Sequence, residues 1–356
     1  MNVMTISSGY DGCNYLRIYL PTMYNGWWTD KPSLSEDKIS IKDVREHLQA
    51  ADVVVFHRAE EQEYHVLAKL LKKDGKKIVM DNDDTFVLDD FHPLAQFTSD
   101  GKFQEHLQRR SDNIDEFIKL CDLVTTTTKT LKKEYDKLND NVVILPNCVD
   151  PYDWDEPLRN EGDKVRIGIV GSAAIEYDYH HIKDLIKRLG DREDVELVLF
   201  GLGDLSHRKD NPKVTEVFRD EYKFWDSVNM EQFPWVKRDK YNDTLNEARL
   251  DIMIIPRRDN YFNRCKSNVK FLEAAMCEIP VIAQSFEDGP YQEISDGING
   301  FLIKDNKEWE DKVNMLIDNK ELRRKVGENA YRYAIENYNI EENHLKWDKA
   351  YKSLFK

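Results

Sequence analysis

No run of eighteen apolar residues occurs in the 356-residue chain, so nothing in it reads as a membrane-spanning helix. The N-terminus, Met1–Ile6, lacks the basic start and long apolar core of a signal peptide and reads as a short strand. Cysteine is scarce: Cys13, Cys121, Cys148, Cys265 and Cys277 form an odd, scattered set with no C-x-x-C spacing. That set fits reduced thiols in a cytosol better than disulfides and offers no cysteine metal spacing. Positive charge is in deficit, with 52 Lys and Arg against 67 Asp and Glu and a net charge of −15. Such a surface does not grip nucleic acid nonspecifically, although a local basic cleft fits within an acidic envelope. Internal repeats, low-complexity tracts and long Gly/Ser linkers are absent as well.

What is present suits a globular chain large enough for two domains, with 40% hydrophobic and 33% charged residues. Strand and helix patterns alternate from end to end, which implies α/β layers with parallel sheets. In the first half the strands read as Val3–Ser7, Val53–Phe56, Lys77–Met80, Leu123–Thr126 and Val142–Leu145. The helices between them read as Tyr15–Leu20, Ile41–Gln49, Glu61–Lys72, Phe103–Leu120 and Lys129–Leu138. A polar segment with Pro and Gly, Pro157 to Lys164, places a domain boundary near residue 160. The second half restarts with strand Val165–Val170 and a glycine turn, followed by helix His180–Leu189 and strands Val195–Phe200 and Ile252–Ile255. Helices over Lys307–Leu316, Lys320–Tyr338 and Glu341–Leu354 end the chain.

The densest chemistry lies between Phe262 and Ala283. Lys266 and Lys270 are four apart, so on one helix they would share a face. Ser267 could cap that helix, whose N–H groups and positive dipole end favour an anion. One turn on, Glu273 offers a carboxylate suited to a sugar diol. Lysines on a solvated helix face are the alternative reading. Pro280–Ala283 reads as a short buried strand. Gly289-Pro290-Tyr291 marks a turn, with Glu293 in the first turn of a short helix, and Asp296-Gly297 and Asn299-Gly300 mark a tight return into Phe301–Ile303.

Over about forty residues this run resembles the donor half of GT-B glycosyltransferases, especially the retaining nucleotide-sugar enzymes of family four. The shared pattern is Lys-Ser and Lys ahead of Leu-Glu-Ala and Pro-Val-Ile, then Gly-Pro-Tyr-x-Glu and Asp-Gly-x-Asn-Gly. The resemblance implies two Rossmann-like domains facing a central cleft: an acceptor domain at 1–160, a donor domain at 161–338, and a C-terminal segment, 339–356, crossing back to the first domain. It also implies a metal-independent transferase that uses a nucleotide-diphosphate sugar, such as a UDP-sugar, as co-substrate and binds no further cofactor, with retention of configuration.

Other motifs fall into place around that frame. The turn Ser8-Gly9-Tyr10-Asp11-Gly12 after the first strand is not G-x-G-x-x-G, which makes a nicotinamide site a poor reading. By resemblance Gly12 lines the cleft, and Arg17 is a candidate phosphate or acceptor partner. His57 and Arg58 end a buried strand, where ligands of open α/β sheets bind. Asp81, Asp83 and Asp84 crowd one turn, and such proximity calls for a cation or a raised pKa. Asp83 or Asp84 is read as an acceptor-binding or base residue, with helix capping by Asp84 as the alternative. His92 could face the same cleft. In the second half Gly171 and Ser172 occupy the turn after the first strand, without the Arg and Lys that family members often carry there. The diphosphate then falls to Lys266 and Lys270 with Arg264. The family's paired glutamates stand eight apart, yet eight before Glu273 is Cys265. Trp235 and Val236 occupy the usual place of the nucleobase, a buried core Trp being the alternative. Arg257 and Arg258 follow a strand and suit phosphate or carboxylate geometry.

The acceptor is expected to be a saccharide or lipid-linked glycan, or a hydroxymethylated base of phage DNA flipped out of its stack. No clear basic amphipathic patch marks a lipid surface. A sugar-nucleotide epimerase of the same fold, or a silent nucleotide-sugar-binding protein, are the competing readings.

Overall fold

The computed structural model describes residues 1–7, 9, 11–30, 41–89, 102–171, 177–201 and 219–356. Its strands form two six-stranded sheets, every pairing parallel. The first comprises β1 (Val3–Ile6), β2 (Trp28–Thr29), β3 (Val53–His57), β4 (Lys77–Asp81), β5 (Leu123–Thr126) and β6 (Val142–Ile144) in the order β2-β1-β3-β4-β5-β6. The second comprises β7 (Val165–Val170), β8 (Val195–Phe200), β9 (Glu231–Phe233), β10 (Ile252–Ile255), β11 (Val281–Gln284) and β12 (Phe301–Ile303) in the order β12-β11-β10-β7-β8-β9.

Parallel sheets need cover on both faces, and the central strands are correspondingly mostly apolar. Alternate residues of one strand serve opposite layers. Val54 and Phe56 pack with Phe117 and Ile118 on one face of the first sheet. Val53 and Val55 pack on the other with Trp347 and Tyr351, so the last helix of the chain completes the core beneath the first sheet. That segment crosses over where Val149 and Asn339 form a bridge and Ile340 N–H donates to the Val149 carbonyl. In the second sheet Ile167 and Ile169 face Tyr179 and Trp309, while Met253 and Ile255 face Phe271 and Leu272.

Strand order reverses between β1 and β3 in one sheet and between β7 and β10 in the other. Loops leaving the carboxyl ends at such a reversal diverge and open a crevice. The two crevices face each other, and the segments after β1, β3, β4, β7 and β10 all reach one cleft.

Several local expectations need correction. Lys266 and Lys270 do not share a helix. A short helix, Tyr261–Cys265, capped by the Asn260 side chain, ends at Lys266 in extended conformation. The next helix is Val269–Met276, and its boundary residue is Asn268, not Ser267. No helix forms around Glu293, where the chain only turns. Asp84 caps no helix, because β4 is followed by irregular backbone. Helix Arg238–Glu247 went unread because only Tyr241 and Leu245 mark its apolar face.

Helix Lys320–Tyr338 packs behind Val269–Met276 and fixes the loop between that helix and β11. A Cβ at Gly327 would stand 2.0 Å from the Glu278 carbonyl oxygen. Neither backbone can yield cheaply, so Gly327→Ala is expected to cost about 3 kcal/mol. An unchanged urea midpoint would show that this contact does not hold the two helices together.

Candidate active site

The cleft between the sheets encloses about 400 Å³. Its walls carry opposite charge. The second lobe contributes Arg238, Arg257, Lys266 and Lys270 against Glu273, and the first contributes Asp11, Asp83, Asp84 and Asp150 against Arg58. An anion is therefore drawn to the second wall and a neutral, hydroxyl-bearing molecule is tolerated at the first.

Both lysines turn into this space. Lys266 Nζ lies 3.0 Å from each carboxylate oxygen of Asp84, across the cleft, and 3.8 Å from the centre of the Phe262 ring. Lys270 Nζ donates to Glu273 Oε2 at 2.7 Å and to the Tyr241 hydroxyl at 2.8 Å, while that hydroxyl donates to Oε2 at 2.7 Å. Both contacts fall on one oxygen, and Glu273 Oε1 has no partner among the described residues. Burial, reinforced by Glu273, pushes the Tyr241 phenol up, so it remains the donor in this triad. The helix that carries Lys270 has no side-chain cap at its start, because the Asn268 amide serves Glu293. Its first N–H groups lie at the cleft wall, and Val269 and Lys270 line it. Ser267 also lines the cleft, but its Oγ accepts from Asn147 of the first lobe at 2.9 Å.

The crowded carboxylates at the end of β4 are resolved by separate cations. Asp81 is buried and paired by both oxygens to Arg17, at 2.9 and 2.7 Å. Asp83 accepts from Arg58 Nε at 2.7 Å and stands 3.4 Å from His57 Nε2. Asp84 takes Lys266 and lies 3.7 Å from Arg58. Burial alone would raise the Asp83 carboxyl, but Arg58 and His57 outweigh it and hold the group well below the usual carboxylate range. Arg58 reaches this position through a left-handed backbone with φ of 49°, an uncommon conformation for a residue with a long side chain.

Of the residues singled out from sequence, Gly12, Arg58, Asp83, Asp84, Gly171, Trp235, Val236, Lys266, Ser267, Lys270 and Glu273 line one cleft. Trp235 is 60% exposed, so it is not a core tryptophan. Others sit elsewhere. Arg17 is buried and committed to Asp81, the Leu145 carbonyl and Asn147, so it holds the first lobe's loops together and touches no ligand space. His57 is buried behind Asp83, with Nδ1 3.2 Å from the Asn14 amide. Arg264 is paired with Asp259 at 2.6 and 2.8 Å on the surface, away from the cleft. Gly289 stacks over Phe286, Pro290 lies in the same turn, and Tyr291 is buried, so none of the three lines the cleft. Ser172 and His92 lie outside the described residues.

Cys265, at the position of the family's first glutamate, faces away from the ligand space. It is buried with first-lobe core residues, and burial pushes its thiol up to about 12. Sequence reasoning missed Arg238, whose guanidinium lies 3.9 Å over the Tyr15 ring and 3.6 Å from Asp153. Only the read of a helix at Arg238–Glu247 could have placed it. Among the described residues no group of three or more His, Cys, Asp or Glu is placed to hold a metal ion.

Known proteins resemble this chain in sequence and in fold. An uncharacterized glycosyltransferase of Methanocaldococcus jannaschii is 35% identical over 85 residues, 23% of this chain and 21% of that relative. The matched stretch thus spans about a fifth of the relative's length. Sucrose-phosphate synthase from Thermosynechococcus elongatus superposes with a TM-score of 0.66 at 14% identity, covering 100% of this chain and 99% of that one. HepE of Anabaena, solved with UDP and glucose, gives 0.66 at 13% identity over 99% and 100%. These likenesses show the fold, the paired Rossmann-like units of GT-B proteins. Residues 152–333, just over half the chain and including every second-lobe residue of the cleft, match the family of glycosyl transferases group 1. The chain belongs to that family.

Proposed function

We propose that the protein transfers a sugar from a nucleotide-diphosphate sugar to an acceptor hydroxyl, with retention, without a bound metal ion and in the cytoplasm. The observation that carries this reading is the pair of ammonium groups, Lys266 and Lys270, turned into the cleft beside an uncapped helix start. The diphosphate would lie against these groups, where fixed positive charge offsets the negative charge that builds on the leaving group. Glu273 Oε1 would receive the ribose hydroxyls, with Lys270 and Tyr241 fixing the carboxylate through Oε2. Trp235, exposed at the cleft mouth, offers a plane for the base. Uridine is the first base to test, since HepE binds UDP.

Arrival of a phosphate at Lys266 would release Asp84, which lies close enough to Arg58 to be retained at the first wall. There it would meet the acceptor hydroxyl. Asp83 is a poor proton acceptor because Arg58 and His57 stabilise its charged form, so Asp84 is the better base candidate. The acidic first wall favours a saccharide over DNA, whose phosphates require cationic partners.

Lys266→Ala and Glu273→Ala are each expected to lower transfer, or the slow hydrolysis of the donor in its absence, by at least about 10²-fold. Near-normal rates in both variants would place the donor site elsewhere. Asp83→Asn is expected to lose about 3 kcal/mol of stability at pH 7, because the Arg58 charge is left without its closest partner. The depressed native pKa means that this contribution is complete above the unfolded value of about 4 and fades as pH falls below it. Denaturation of both proteins between pH 7 and 3 checks it: the gap should narrow below about pH 4. A gap independent of pH would remove the charge pairing from the explanation.

A further inference from the structure

Arg257 follows β10 after Pro256, at the reversal of strand order in the second sheet, where Gly171 follows the neighbouring β7. Both residues line the cleft. The arginine is only 8% exposed, which is unusual for a charged residue and calls for a compensating partner. Asp178 supplies one: Arg257 Nη1 donates to Asp178 Oδ2 at 2.9 Å. That carboxylate is itself shared, since its Oδ1 accepts from the Asn263 amide at 2.7 Å and from the Arg258 backbone N–H at 3.2 Å. Arg257 Nε–H is buried and has no acceptor among the described residues. A guanidinium offers five donors in a planar fork, and Asp178 with the neighbouring Tyr291 hydroxyl engages only part of it.

We infer that Arg257 is a further donor-binding residue, supplying a fixed guanidinium to the diphosphate alongside Lys266 and Lys270. The inference rests on the donor-site reading above. Asp178 anchors one edge of the fork, the Tyr291 hydroxyl lies beside the guanidinium, and the residue lines the cleft wall. Through Asn263 the same carboxylate holds the short helix that ends at Lys266, so one buried group orients two of the cations. Gly171 opposes this wall without a side chain. The turn after β7 places no Arg or Lys at Gly171, and Arg257 enters the same crevice from the neighbouring strand. A planar fork also matches two phosphate oxygens, which a lysine cannot do.

Calorimetric titration of UDP, GDP and ADP into the full-length protein identifies the diphosphate that binds, and the matching monophosphate serves as control. Arg257→Gln is expected to weaken the diphosphate by about 10- to 100-fold and the monophosphate by less than about threefold, the loss of charge-assisted bonds to the second phosphate. Arg257→Lys, which keeps the charge and loses the fork, should fall between. Equal losses for both nucleotides, or none, would overturn the inference, since a merely structural role cannot distinguish phosphate number. Should Arg257→Gln fail to fold, Arg257→Lys decides: a diphosphate-selective loss supports the assignment and unchanged affinity refutes it. If the wild-type protein binds none of the three diphosphates, the donor-site reading itself fails. If it binds one and the variants bind it equally well, only the role of Arg257 is lost.

Discussion

The ion pair between Lys266 and Asp84 spans the cleft and expresses the constraint on which the site is built: two lobes of opposite local charge closed upon each other. A lysine ammonium near the wall of a narrow cleft is costly to leave without a counter-ion. In the structure that counter-ion is a carboxylate from the other lobe. Neighbouring contacts reinforce the arrangement, with Thr130 Oγ1 donating to the Asp288 carbonyl, Asn260 to Asp89, and Lys133 paired with Asp288. The pair is partly exposed, so its own contribution to stability is small, and its importance lies in what it reserves. It holds an anion's place, and a bound phosphate would exchange one negative partner for another.

The rest of the first wall follows from the same electrostatic requirement. Asp81, Asp83 and Asp84 stand within one turn and would repel each other if left alone. Arg17, Arg58 and Lys266 each take one. Arg17 and Arg58 come from elements far apart in the chain, and the third comes from the other lobe. The proximity was readable from the Asp81-Asn82-Asp83-Asp84 run, but its resolution was not. An arginine 64 residues from its partner gives no local sign of being buried, and Arg17 therefore looked like a ligand contact.

Much of the fold was legible because parallel strands covered on both faces are short and mostly apolar, and Val53–Phe56, Lys77–Met80 and Val195–Phe200 each fit, with Lys77 and Glu196 the only polar residues among them. Each stands where its pattern put it, within a residue at the ends. The edge strands Trp28–Thr29 and Glu231–Phe233 carry no such run and were not found. Within the site, lysine spacing singled out two residues that line the cleft, but through the wrong geometry. Asn260 caps a separate short helix, the chain extends at Lys266, and the two amines meet across a helix start rather than along a helix face. Gly289, Pro290 and Tyr291 failed for a related reason: a shared motif fixes a turn, and here the turn buries Tyr291.

Donor binding of this kind requires the second wall to capture phosphate in exchange for Asp84. A crystal structure with the bound nucleoside diphosphate tests this most directly. The account predicts phosphate oxygens within hydrogen-bonding distance of Lys266 and Lys270 Nζ, with the 3.0 Å contact between Lys266 and Asp84 opened. A nucleotide bound with that contact intact and its phosphates remote from both amines would contradict it.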